Sequence, residues 1–299
     1  MIDVKTTGAE WPTYGILAAC YIGWGAACIW HDVLGLWFVP IAGYFITLHS
    51  SLQHEALHGH PTRDARVNEA LVFPALGVFV PYRIFKRTHL KHHCDSQLTD
   101  PYDDPESAYL AQRDWDVLSP PMRRALEVNR TLLGRMLIGP ALSIRSGLVR
   151  DIAAMRAGCS FTRRAWIAHG MGVALALGFA VGIAGVPPLA YLAATYAGYA
   201  LLMLRTFAEH QAIEAVGERT AVVEAEGPLA LAFLNNNLHA VHHAHPRAPW
   251  YALPALYRRD REAVLAGNGN YRFAGYRALF GRYALRAKER TIHPFLRRG

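Results

Sequence analysis

Charge is scarce in this chain, and it is missing in blocks. Of the 299 residues only 18% are Asp, Glu, Lys or Arg, against 52% apolar, a balance unlike that of a solvated globular domain. Four stretches carry almost none: Trp11 to His31, Val33 as far as Arg63 with only Glu55 inside it, Ala165 to Gly185, and Val186 to Leu204. Each is close to the ~20 residues that a helix rising ~1.5 Å per residue needs to cross a ~30 Å hydrocarbon core. Transmembrane helices are therefore expected over about 11–31, 33–53, 165–185 and 187–205. They come in pairs, since His31 and Asp32 separate the first two and "GVPP" from Gly185 to Pro188 breaks the second two.

Cysteine is scarce too. Cys20, Cys28, Cys94 and Cys159 show no C-x-x-C spacing, which argues against a thiolate metal site, an iron–sulfur cluster or a disulfide framework and leaves inert thiols. There is no G-x-G-x-x-G after a strand and no appended haem domain, so electrons are expected to come from outside the chain. The opening "MIDVKTTGAEWPTYG" lacks a basic region leading into a short apolar core and a cleavage site, so the first helix is expected to stay as an anchor. No Ser, Gly or Pro linker divides the sequence, and 1–299 is expected to be a single domain.

Positive charge is absent from both short hairpin loops. Of the 31 Lys and Arg, one is Lys5, sixteen lie between His54 and Arg164, and fourteen between Arg205 and Gly299. By the positive-inside rule the two long polar segments and both termini are expected in the cytoplasm. The net charge of +8 then reads as a topology signal and a headgroup contact. A nucleic-acid partner would ask for basic residues clustered with stacking aromatics on a soluble domain, and is not expected. The apolar runs Ala70 to Pro81 and Pro228 to Leu234 are too short to span and are placed at the membrane interface or beneath the cytoplasmic layer. Pro120 to Gly158 mixes apolar and Arg positions at helical spacing and is expected to form amphipathic helices on the membrane surface. The tail "LRAKERTIHPFLRRG" is read as a solvated or headgroup-contacting face without chemistry. The fold class expected is an all-α integral membrane protein, four transmembrane helices in two hairpins with a cytoplasmic helical layer.

What is abundant is histidine, fifteen in all, and the spacing is ordered. His54 and His58 stand four apart in "HEALH"; His89 precedes His92 and His93 in "THLKHH"; His239 precedes His242 and His243 in "LHAVHH". Residues three and four apart share a helix face, whereas adjacent ones diverge by about 100°. Two H-x-x-H-H triplets thus aim imidazoles at one centre while their adjacent pairs can reach different ions. Eight neutral imidazoles suit iron, copper, zinc or nickel and exceed the three or four ligands one catalytic zinc uses, so two metals are favoured. His210, about one and a half turns past the end of the fourth apolar stretch, would reach the same level as the first box. "HEALH" also matches H-E-x-x-H, in which Glu55 would be the base of a membrane zinc protease, but that leaves at least five box histidines without a role. A metal transporter or store would put its site near the bilayer midplane, whereas these boxes lie beyond the helix ends.

Neighbouring polar groups leave alternatives open. Glu209 is either an acceptor orienting a ligand imidazole or an interfacial charge. Asp100, Asp103, Asp104 and Glu106 either orient imidazoles or form an acidic turn; Asn235 to Asn237 either hold a metal-bound water or cap a helix. His49 is satisfied within the helix bundle, lines a substrate route or competes for ligand duty; His60 and His245 end helices or donate to ligands; His169 packs; His31 and His293 stand alone. Tyr44, Phe45, Trp24 and Trp37 either line an acyl channel or face lipid and neighbouring helices.

HxxxH, then HxxHH about thirty residues on, then HxxHH near the C-terminal end, over His49 to Pro246, resembles the membrane fatty acid desaturase and hydroxylase superfamily. The resemblance implies a non-haem centre of two iron ions that activates O2 reductively and removes hydrogen from an unactivated C–H bond. Its implied ligands are His54, His58, His89, His92, His93, His239, His242 and His243, with His210 matching an additional histidine after the fourth helix. Where such desaturases carry an asparagine one turn earlier, this chain has Thr206. It implies a lipid or acyl substrate, an external ferredoxin, rubredoxin or cytochrome-type donor, and a place in a membrane such as the bacterial inner membrane. Desaturation is favoured, with an acyl, carotenoid or alkane hydroxylase or ketolase next.

Overall fold

The computed structural model describes residues 9–296; Lys5 and both chain ends, expected in the cytoplasm, lie outside them. The described chain is mostly helical. Its principal helices are α1 (Trp11–Ile29), α2 (Phe38–Leu57), α3 (Tyr82–His93), α4 (Leu132–Arg156), α5 (Ser160–Leu177), α6 (Pro188–Glu209), α7 (His239–Ala244) and α8 (Leu253–Gly267). α5 runs on through a π-helical turn, Gly178–Ile183. β1 (Val222–Val223) and β2 (Arg272–Phe273) pair in parallel, Val222 opposite Arg272. The chain forms two compact units, one from the residues up to Arg87 with Pro140–Leu202, the other from Thr88–Gly139 with Met203 onward.

The first unit holds most of the apolar length. Pro in the first turn starts α1, where its fixed φ and missing N–H cost nothing. Among the described residues four helices are long and apolar enough to cross a membrane: Trp11–Ile29, His31–Leu57, Leu132–Arg156 and Ser160–Ile183. Their large apolar side chains are widely exposed, Leu36 at 92% and Ile183 at 79%, as lipid-facing residues are and as a solvated surface seldom allows in such numbers. α6 covers the expected 187–205 as helix but is not one of those four, since Tyr191, Tyr196, Tyr199 and Arg205 interrupt its apolar run. α4 differs from the expected run of surface helices: it is one helix of 25 residues with Pro140 inside. A search for charge-free runs passes over it because it carries Arg135, Arg145, Arg150 and Asp151.

Trp24, Phe38, Ile46, Leu76 and Tyr191 form the core of this unit. α2 and α6 meet at glycines. A Cβ on Gly43 would stand 3.0 Å from the Ala194 carbonyl oxygen and 3.1 Å from the Gly198 nitrogen, and Thr47 Oγ1 donates to the Gly198 carbonyl at 2.9 Å. Small residues permitting backbone approach, with a hydroxyl bonded across, are the usual means of joining helices in lipid. Trp24 packs on Phe179 and Tyr191, while Trp37 is exposed. The apolar segment around Leu76 folds into the interior, and so does Phe233 in the second unit.

The second unit is built on β1. Ala240 N donates to Ala221 O, Val223 N to Asn237 O, and the Asn237 amide returns to Val223 O. Val222, Val241, Leu253 and Tyr257 pack beside that strand. These bonds set the start of α7, and with it the third histidine box.

Candidate metal centre

α3 ends in the second box, and within the second unit the loop after it turns back over that end. Thr99 N donates to Asp104 Oδ2 and Glu106 N to Asp104 Oδ1, both at 2.9 Å. The carboxylates so placed meet imidazoles. His92 Nδ1 donates to Asp104 Oδ1 at 2.8 Å, and His89 Nδ1 to Glu106 at 3.1 Å. An ionised carboxylate only accepts, so the proton sits on Nδ1 and each Nε2 presents a bare lone pair. His239 follows the same rule: Nδ1 faces Asn236 Oδ1 at 3.2 Å and Glu209 Oε1 at 3.4 Å.

The Nε2 atoms converge in two groups. His92, His210, His239 and His243 bring four ring nitrogens within 4.8 Å of one another, with His239 Nε2 at 3.0 Å from His210 Nε2 and 3.1 Å from His243 Nε2. In the other, His93 Nε2 lies 3.0 Å from both His89 Nε2 and His242 Nε2. The groups adjoin through His93 and His243, whose rings stack at 4.3 Å. Bare nitrogens turned on one another repel, and a cation held between them is what such packing would suit. The residues present therefore fit metal binding.

Electrostatics agrees. Burial, with the neighbouring His89 and His92, pushes His93 down to about 3, and burial with His92 takes His210 to about 3. Burial holds His239 and His243 well below the ordinary histidine range. All four are neutral near pH 7, as metal ligation requires. His92 moves the other way: burial would lower it, but the bond to Asp104 and the charges of Glu106 and Asp104 raise it, and Asp104 is lowered in return against its own burial. Glu106, which burial alone would raise, is held at about 2 by His89 and His92. Burial raises Glu209 in spite of Arg205 at 2.9 Å.

In the first unit, His54 and His58 stand at the end of α2 with ring centres 4.8 Å apart. Glu55 Oε1 lies 3.8 Å from His54 Nδ1, beyond hydrogen-bond reach. Four other histidines are bonded elsewhere: His49 by Tyr21 Oη, His60 by Glu10, His169 by the Val78 carbonyl, His31 by the Cys28 carbonyl. His293, expected to stand alone, is buried against Thr99 Oγ1. Of the acidic run, Asp104 and Glu106 reach imidazoles, while Asp100 caps its own turn through Tyr102 N. Of the three asparagines Asn236 serves His239, while Asn235 and Asn237 bond backbone carbonyls. Thr206 turns its hydroxyl to Met203 Sδ. Arg205 and Lys288, the latter bonded to the His210 carbonyl, went unnoticed in the sequence, where no spacing ties them to a box.

The model of the family described as Fatty acid desaturase matches residues 32–275. No curated protein matches the chain.

Proposed function

The chain belongs to the fatty acid desaturase family, and from that premise we propose that it is a membrane-bound, O2-dependent di-iron oxidoreductase that desaturates a lipid acyl chain. One observation carries the reading: in each H-x-x-H-H box the adjacent histidines part company. His92 and His243 join one Nε2 group, His93 and His242 the other, as a two-metal centre asks and a single zinc does not. On the resemblance of the boxes we take His54 and His58 as further ligands, which with His89, His92, His93, His210, His239, His242 and His243 makes nine. The zinc-protease reading would leave at least five box histidines without a task.

Two irons bound there would activate O2 reductively and take hydrogen from an unactivated C–H bond. The protein's part is to hold and to exclude. Asp104, Glu106 and Asn236 fix the tautomer and tilt of His92, His89 and His239, as hydrogen-bonded partners of metal-bound imidazoles do. Burial of these nitrogens keeps bulk water from the reacting atoms. An acyl chain entering from the membrane reacts at whichever carbon is held against the centre, so positioning sets regiochemistry. Electrons come from an external ferredoxin, rubredoxin or cytochrome-type donor. α1 with α2 and α5 with α6 form the two membrane hairpins, over about 11–31, 33–53, 165–185 and 187–205, with the boxes and termini on the cytoplasmic side of a membrane of the bacterial inner type.

Iron counting on the purified full-length protein tests the ligand set. We expect two irons per chain, and about one in each of His92→Ala and His93→Ala. One zinc per chain, indifferent to both substitutions, would sink the di-iron reading in favour of H-E-x-x-H.

A further inference from the structure

His89, His92 and His239 are each steadied through Nδ1, but His210 is not. Among the described residues its Nδ1 is buried with no hydrogen-bond partner, and its Nε2 is the atom turned toward His239. What places this imidazole is therefore its backbone, at the point where α6 ends. The last turn of a helix leaves carbonyls without partners, and here each is taken up by a group from far along the chain. Lys288 Nζ donates to Phe207 O at 2.8 Å and to His210 O; Tyr271 Oη donates to Ala208 O at 2.9 Å; Ala221 N donates to Glu209 O at 2.9 Å.

The Lys288 side chain is only 8% exposed. A buried ammonium is costly unless its protons are used, and a third contact, to Tyr271 Oη at 3.0 Å, completes its set. The end of a helix is also where a cation is favoured. The next residue grips the other side of His210, since Glu289 Oε1 accepts from Ala212 N at 2.9 Å while Tyr109 Oη donates to Glu289 Oε2. The strap is itself tied down, Lys288 N donating to Arg130 O at 3.0 Å.

We infer that Lys288 is a positioning residue for the metal centre: its buried ammonium caps α6 and fixes the backbone that aims His210 at the group of His92, His239 and His243. The inference rests on the two-metal reading of that site. It gives a function to a tail whose sequence suggests only a solvated basic face.

The test uses cobalt(II) as the probe on the full-length protein in detergent, with affinity and visible ligand-field bands read together. The wild type binds two cobalt ions, and His243→Ala loses one. Lys288→Met should weaken one of the two by about tenfold, the low end of what outer partners of ligands contribute, and should alter that ion's bands while the other ion keeps its own. A merely destabilised protein would not change one spectrum selectively. Tyr271→Phe, a milder change, should weaken the same ion a few-fold and decides the matter should Lys288→Met not fold. Wild-type affinity and bands in Lys288→Met, or in Tyr271→Phe where that variant decides, would overturn the positioning role while leaving the two-metal site standing. Fewer than two cobalt ions in the wild type would overturn the site reading and this inference with it.

Discussion

Asp104 grips His92 by the nitrogen that a metal does not need, and that choice leaves Nε2 bare. The eight box histidines could be picked out in the sequence because helical spacing declares which side chains share a face, and His210 because it lies just past the fourth apolar stretch. Their partners were not. Asp100, Asp103, Asp104 and Glu106 lie in a loop, where no periodicity says which carboxylate turns inward; the bonds from Thr99 N and Glu106 N select Asp104. Replacing Asp104 by Asn keeps its shape but lets an amide donor face the ring. We expect Asp104→Asn to weaken metal retention about 10- to 100-fold, measured by release to a chelator. Asp100→Asn, which alters a turn cap, should release metal at the wild-type rate. Equal effects from the two would show that general charge, not orientation, is what matters.

Helices and strands were partly visible in advance. The end of α6 and the two H-x-x-H-H helices follow from apolar runs and spacing, but the C-terminal strap does not, since Lys288 meets the His210 carbonyl across 78 residues of sequence. Local pattern cannot report such a cap. A second long-range tie joins the strands to α8: Glu224 accepts from Tyr257 Oη at 2.6 Å, Arg261 Nε at 2.9 Å and Arg272 Nη1 at 2.7 Å. Burial would raise its pKa, but Tyr257, Arg272 and Arg261 hold it at about 2, below its ordinary 4.5. A carboxylate lowered on folding contributes stability that is present above the ordinary value and lost as pH falls toward the lowered one. Thermal unfolding should therefore show the wild type losing stability between about 4.5 and about 2, with a shallower loss in Glu224→Gln. Identical slopes in that window would remove Glu224 from the stabilising set.

For the molecule as a whole, parity limits the topology. If the second box, before α4, and His210, after α6, serve one centre, an even number of crossings must separate them. α4 and α6 cannot both cross in addition to α5. On the proposed topology charge chooses between them: Arg156, Arg163 and Arg164 flank the junction of α4 and α5, while the junction of α5 and α6 has no Lys or Arg, which would put the first inside and the second outside. This favours α6 as the crossing helix over α4. Cys159 sits at the α4–α5 junction, partly exposed, and Cys94 is the other accessible thiol. In intact cells carrying Cys94→Ser, we expect a membrane-impermeant maleimide to leave Cys159 unlabelled until the membrane is opened. Labelling from outside would place α4 in the bilayer and move the junction across.

Mass spectrometry of lipids from cells expressing the wild type or His242→Ala tests the proposed chemistry most directly. We predict acyl chains lighter by two mass units in wild-type cells, absent from the variant. A gain of sixteen mass units, or lipids unchanged between the two, would contradict desaturation.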